Sequence, residues 1–294
     1  VQYYRDLYNI ERVEVLKGPN AMIFGRGGVG GVINRVTRVA DGRSHREVSL
    51  QGGSFDNKRA TFDWGQGFNP NVAARVTAVV EDSESYRDDV TLERRGVNPT
   101  VRLVTGPSTA VTLGHEYFFD ERVADRGVPS LNGQPFDTDE STFVGDPGNS
   151  PTGTELNVTS LTVDHDFGGG LTLVNRTLYG RYDKYYQNVF ASGPVAADGT
   201  VPFQGYIATT ERDNLFNQTD LVYKLKTGSI EHTLLAGAEF GRQLTDNLRL
   251  SARFADGADA DADPDSTFIA PASSPNFSEP LVAFVQGGSS DGNN

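Results

Sequence analysis

Apolar and polar residues alternate with a period of two along most of this chain, the signature of strands with one buried or apolar face. Val48 and Leu50 share one parity, and Glu47, Ser49 and Gln51 take the other. After a turn at 52–57, Ala60, Phe62 and Trp64 alternate with Thr61 and Asp63. Val72, Ala74, Val76, Ala78 and Val80 alternate with Arg75, Thr77 and Glu81. The pattern continues through Val101 and Leu103, then Val111, Leu113, Tyr117 and Phe119, with Thr112 and Glu116 opposite. Leu161, Val163 and Phe167, then Leu221, Tyr223 and Leu225, then Leu234, Ala236, Ala238 and Phe240 repeat it. The spacing predicts a meander of about ten strands, each of roughly ten residues and apolar on one side only. Between Leu171 and Tyr185 the alternation fails near Asn175, which predicts a bulge or a section away from the apolar surroundings.

The connections fall into two kinds. Short ones are expected at 65–71, 105–108, 167–170 and 227–229, and long polar ones at 121–157, 187–209 and 246–280. Structureless loops longer than about 15 residues are uncommon in compact domains. Strict alternation of short and long places every long loop at one end of the strands. That asymmetry belongs to outer-membrane barrels and is not expected of a soluble sandwich.

Ile10 to Arg38 has a different texture. Val13 and Val15 alternate with Arg12 and Glu14, Gly18-Pro19 breaks the strand, and Asn20 to Phe24 has room for about one helical turn. Five glycines between Gly25 and Gly31 follow, and the alternation resumes in Val32 to Thr37. Gly25, Gly27 and Gly30 match a dinucleotide-binding fingerprint by letter. That fingerprint needs a strand before it and a helix after it, and here the order is reversed. The glycines are therefore read as close backbone packing.

With these residues in view, ERVEVLKGP followed by FGRGGVGGVIN is similar to the last part of the plug domain of TonB-dependent outer-membrane receptors, in particular the ferric-siderophore branch and its catecholate-type members. Lys226 to Gln243 resembles a strand-turn-strand of the same receptors. The signature positions are Glu11, Arg12, Val13, Glu14, Lys17, Gly18, Pro19, Gly25, Gly30, Gly31 and Asn34. The resemblance implies an all-β chain with a small α+β plug remnant. Residues 1–40 would end the plug and 41–294 would form the N-terminal portion of an antiparallel transmembrane β-barrel. Such plugged barrels have about 22 strands, of which about ten fall here. An open half-barrel exposes unpaired edges that lipid does not tolerate, so a longer parent chain is expected, with its leader and TonB box outside these residues. The implied activity is energised uptake. Loops and plug apices bind a ferric siderophore outside, and TonB, driven with its inner-membrane partners by the proton gradient, pulls on the plug. Tyr3, Tyr4 and Arg5, just before the signature, are the candidate ligand contacts. The siderophore is cargo and no permanent cofactor is implied; the receptor is expected as a monomer in outer-membrane lipid of a Gram-negative cell. A receptor for cobalamin or a glycan is the alternative, and a soluble β-rich binding domain a distant one.

Composition narrows the remaining classes. A net charge of −13, from 39 acids and 26 bases, disfavours nucleic acid as a partner. Without cysteine there is no disulfide, thiolate ligand or thiol nucleophile. The four histidines (His45, His115, His165, His232) have no metal-ligand spacing, and no serine sits in a G-x-S-x-G elbow. The acidic run Asp256 to Asp265 lacks the sixth-position glycine and twelfth-position glutamate of a calcium loop. Neither an enzyme nor a metal site is expected.

Overall fold

The computed structural model describes residues 4–18, 30–255, 266–277 and 281–286. Tyr3, Pro19, Gly25, the expected helical turn at 20–24 and the acidic run at 256–265 lie outside the described residues. Two strands, β1 (Ile10–Lys17) and β2 (Gly31–Thr37), pair antiparallel as a small separate sheet. Glu14 faces Asn34 in register, and its carboxylate accepts from Asn34 Nδ2 at 2.8 Å and from Arg12 Nε at 2.7 Å. The signature residues thus hold the strand pair together. At Gly31 (φ +151°) a Cβ would press on the carbonyl oxygen of Leu16, so the close approach there requires glycine.

The rest is one antiparallel sheet. Its strands are β3 (His45–Gly53), β4 (Asn57–Asn69), β5 (Val72–Glu84), β6 (Thr91–Val104) and β7 (Thr109–Val123), followed after a tiny hairpin, β8 (Ser130–Leu131) and β9 (Gln134–Pro135), by β10 (Pro151–Gly168), β11 (Leu171–Ala191), β12 (Thr200–Thr227) and β13 (Ile230–Phe254). Short strands β14 (Phe268–Pro271) and β15 (Leu281–Val285) pair with β12 and β13. Apart from the β8–β9 hairpin, each strand from β3 to β13 pairs with its sequence neighbours, as a meander requires.

The alternation separates two faces. On β5, Ala73, Arg75, Thr77 and Val79 are buried while Val80 stays exposed; on β6, Asn98 and Thr100 are buried while Val97, Val101 and Leu103 are exposed. A sheet with its apolar side outward and a polar side inward suits lipid on one side and a polar lumen on the other. Among the described residues no helix is long and apolar enough to cross a membrane, which says nothing of a barrel that crosses with strands.

Two expectations need correction. The strands are longer than the expected ten or so residues: β12 has 28 and β13 has 25. Much of the predicted loops at 187–209 and 246–280 is strand, leaving 192–199 between β11 and β12. The ladder needs only backbone pairing, so it continues after the apolar alternation stops. The second concerns Asn175. β11 pairs with β10 and β12 through Asn175 without a register shift. The break is chemical instead: on the outer face Asn175 and Asn217 exchange amide hydrogen bonds (3.2 and 3.1 Å), and each donates to the other strand's threonine, Thr219 and Thr177, at 2.7 Å. Asn217→Leu removes both exchanged amide bonds and the bond to Thr177, leaves the Asn175 amide its bond to Thr219, and is expected to cost about 1–3 kcal/mol. The double change Asn175→Leu with Asn217→Leu is expected to recover most of that loss. Thermal unfolding in detergent measures both, and no loss in the single variant would show that the ring of hydrogen bonds contributes nothing.

Candidate functional site: the plug–wall seam and the mouth above it

Asp6 opens the segment that docks the small sheet on the inner wall. Its carboxylate accepts the Tyr8 backbone N–H at 2.8 Å, a local turn typical of aspartate. It also receives Arg59 of β4 at 2.8 and 2.9 Å and Arg94 of β6 at 2.7 Å. Beneath it, Arg59, Glu81, Arg94 and Asp120 are successive cross-strand partners on β4, β5, β6 and β7. Charge alternates along that row, and directly opposed unlike charges attract. Arg94 Nε reaches Asp120 at 2.8 Å, and Arg122 holds the same fully buried carboxylate at 2.7 Å. With Asp6 included, three guanidiniums meet three carboxylates, so the cluster is neutral within itself.

Burial pushes the Asp6 carboxyl upward. The hydrogen bond and charge of Arg59, the Tyr8 N–H and the charge of Arg94 outweigh it and hold the group below its ordinary value of 3.8. Tyr8 is pushed up, by burial first and then by Glu116 and Asp6, and stays neutral. Its ring stacks on Phe118 at 6.3 Å within a buried cluster that includes Val79, Leu156 and Tyr182. A second tie lies at the same end of the small sheet, where the chain leaves β2. Arg38 and Arg75 share Asp63, at 2.9 and 2.7 Å, and the Ala40 N–H donates to Thr100 at 2.8 Å.

The candidate contacts Tyr4 and Arg5 are brought onto the same wall. Arg122 stacks over the Tyr4 ring at 4.0 Å, and Tyr4 remains 38% exposed. Arg5 lies 3.5 Å from Glu116 and over Tyr182 at 5.7 Å, beside a cavity of about 440 Å³ lined also by Asn9, Arg35 and Ser160. Among the signature residues, Glu11, Arg12, Val13 and Lys17 remain on the small sheet and make none of the wall ion pairs above. His115 and His165 are far apart and hydrogen-bond threonines, Thr159 and Thr109.

Sequence reasoning missed Asp6, Arg59, Glu81 and Asp120 as a group. Alternation set Glu81 opposite the apolar side of its strand, yet nothing in a single strand's pattern shows which residues share a level across strands, and Asp6 precedes the first strand altogether.

At the long-connection end, the loops pack into a cap. Val144, Val195, Val201, Phe203, Ala270 and Ala272 form its apolar core. Gly145 ties two loops, its N–H donating to Pro275 O at 2.9 Å and its carbonyl accepting from Phe277 N at 3.2 Å.

Comparison with known proteins agrees with this architecture. The family described as TonB-dependent Receptor Plug Domain matches residues 2–32. The metal-pseudopaline receptor CntO of Pseudomonas aeruginosa is 30% identical over 250 residues, covering 83% of this chain and 35% of that protein. The catecholate siderophore receptor Fiu of Escherichia coli K12 is 27% identical over 266 residues, covering 83% and 35%. The crystal structure of the siderophore receptor PiuA from Acinetobacter baumannii superposes with a TM-score of 0.79 at 24% identity, over 91% of this chain and 39% of that one. The chain therefore spans about a third of the length of the curated relatives it matches. Its sheet is part of an antiparallel, plugged barrel wall, as expected. With a plug strand pair docked by ion pairs on a polar inner wall and an apolar outer face, the chain belongs to the TonB-dependent receptors of the bacterial outer membrane.

Proposed function

We propose that the receptor carrying this segment takes up ferric siderophores across the outer membrane, with residues 1–40 ending a plug and 41–294 forming part of the barrel. The carrying observation is the seam: a small sheet held on the lumen wall by the Asp6 ion network beside the single apolar anchor of Tyr8. Charged hydrogen-bonded contacts hold firmly yet separate without exposing apolar surface of their own. That suits a plug which TonB must displace. The relatives named for catecholate siderophores and metal-pseudopaline support a metal chelate as cargo. Tyr4, on Arg122, and Arg5, between Glu116 and Tyr182, sit at the floor of the lumen as candidate contacts for it.

The purified full-length receptor, titrated with a ferric catecholate, a ferric hydroxamate and cobalamin, tests this reading. Saturable binding of a ferric chelate is expected. Binding of cobalamin alone would overturn it.

A further inference from the structure

The cavity beside Arg5 lies between the plug segment and strands β6, β7, β10 and β11, and its charged lining does not balance. Arg5 and Arg35 line it from the plug side and Glu116 from β7. Glu116 is already satisfied, since it takes Asn9 Nδ2 at 2.9 Å and Arg5 at 3.5 Å. The Asp6 carboxylate is likewise taken, by Arg59 and Arg94. Arg35 is left with the Asp6 backbone carbonyl, to which one terminal nitrogen donates. Among the described residues it makes no ion pair, and its buried Nε has no hydrogen-bond partner.

Two guanidiniums against one carboxylate leave the cavity with one positive charge over. The neighbouring Asp6 cluster is neutral within itself and offers no surplus carboxylate. Burial first, and then the charge of Arg5, push Arg35 below its ordinary value, and Glu116 and Asp6 offset them only in part. Arginine does not give up its proton in proteins, so the imbalance calls for an anion.

The polar lining points the same way. Asn9 is 1% exposed, yet its Oδ1 accepts no hydrogen bond, and buried Asn98 of β6 lines the same space. An anion takes up the free donor of Arg35, and a water beside it can donate to Asn9 Oδ1. At about 440 Å³ the cavity has room for both, a water needing about 30 Å³.

We propose that Arg35, backed by Arg5, Asn9 and Asn98, binds one small singly charged anion in the seam between plug and wall. Chloride from solution and a carboxylate from plug residues outside this segment supply the same chemistry, a charge-assisted partner for the guanidinium. The site concerns how the plug is held and makes no use of the cargo, so it stands apart from the uptake reading.

The test follows hydrogen exchange of the Arg38 N–H, which donates to the Asn9 carbonyl at 2.7 Å, in the full-length receptor in detergent. Chloride is titrated upward from low salt for wild type, Arg35→Gln and Arg35→Lys. Screening acts on all three proteins, so the differences between them carry the result. A free anion predicts a saturable slowing of exchange, about tenfold, in wild type and Arg35→Lys that Arg35→Gln lacks. A carboxylate of the plug predicts no chloride response, exchange about tenfold faster in Arg35→Gln at every salt level, and nearly wild-type exchange in Arg35→Lys. Either result supports the site and identifies the source of the anion. Arg35→Gln exchanging like wild type throughout would overturn it. So would Arg35→Lys exchanging as fast as Arg35→Gln without a chloride response, because the position would then matter for shape and not for charge. No chelate is added, so a failure of the uptake reading leaves this result untouched.

Discussion

Asp6→Asn is expected to loosen the plug segment from the wall by about 3 kcal/mol, because removing one partner from a buried ion cluster leaves the others uncompensated. Arg59 and Arg94 would then share Glu81 and Asp120 alone. The amides at the docked end, Ala40 N–H on Thr100 of the wall and Arg38 N–H on Asn9, report it. Their hydrogen exchange is expected to rise about a hundredfold, since each 1.4 kcal/mol is a factor of ten. Exchange indistinguishable from wild type would remove Asp6 from the seam. The pH dependence has a definite sign. A carboxylate held below its ordinary value contributes stability that is complete above 3.8 and is lost as pH falls through the depressed value. Docking should therefore be unchanged between neutrality and about pH 5, and should weaken only in stronger acid, with the Asp6→Asn protein lacking that step.

The wall was legible in the sequence because each strand there is a local statement. Val72 to Val80 show which side of β5 meets lipid, and the pairing of neighbours along the chain does the rest. Glu14 and Asn34 were legible as part of a signature, and their hydrogen bond gives the physical reason for it. What the pattern missed was non-local or polar. β12 and β13 run on past the apolar belt, where alternation ends but backbone pairing does not. Asn175 broke the apolar parity because its partner, Asn217, lies on another strand, 42 positions away. The seam follows the same logic: Asp6 and Arg94 are 88 positions apart. Only the register of four strands brings Arg59, Glu81, Arg94 and Asp120 into one row.

Gly145→Ala is expected to break the cap and, with it, ligand capture. Gly145 has φ +135°, a conformation that side chains rarely adopt, and a Cβ there would overlap the carbonyl oxygen of Val189. Strain of that kind costs about 1–3 kcal/mol before the clash is relieved. Relief requires moving the chain away from Val189, which breaks the bonds to Pro275 and Phe277 and opens the core around Val144 and Phe203. The loop holding Arg126 runs between β7 and this point, so its position over Phe190 goes too. Limited proteolysis within 124–150 should become rapid, and ferric-chelate affinity should fall by at least about tenfold. Gly133→Ala is the control: Asn132 and Gly133 form the tight β8–β9 turn, with φ of +52° and +79°, and a Cβ at Gly133 meets nothing within 4 Å. It carries backbone strain without the clash, so it should perturb only its own hairpin. If the two variants bind and digest alike, the loops act independently, and the cap is not a rigid frame.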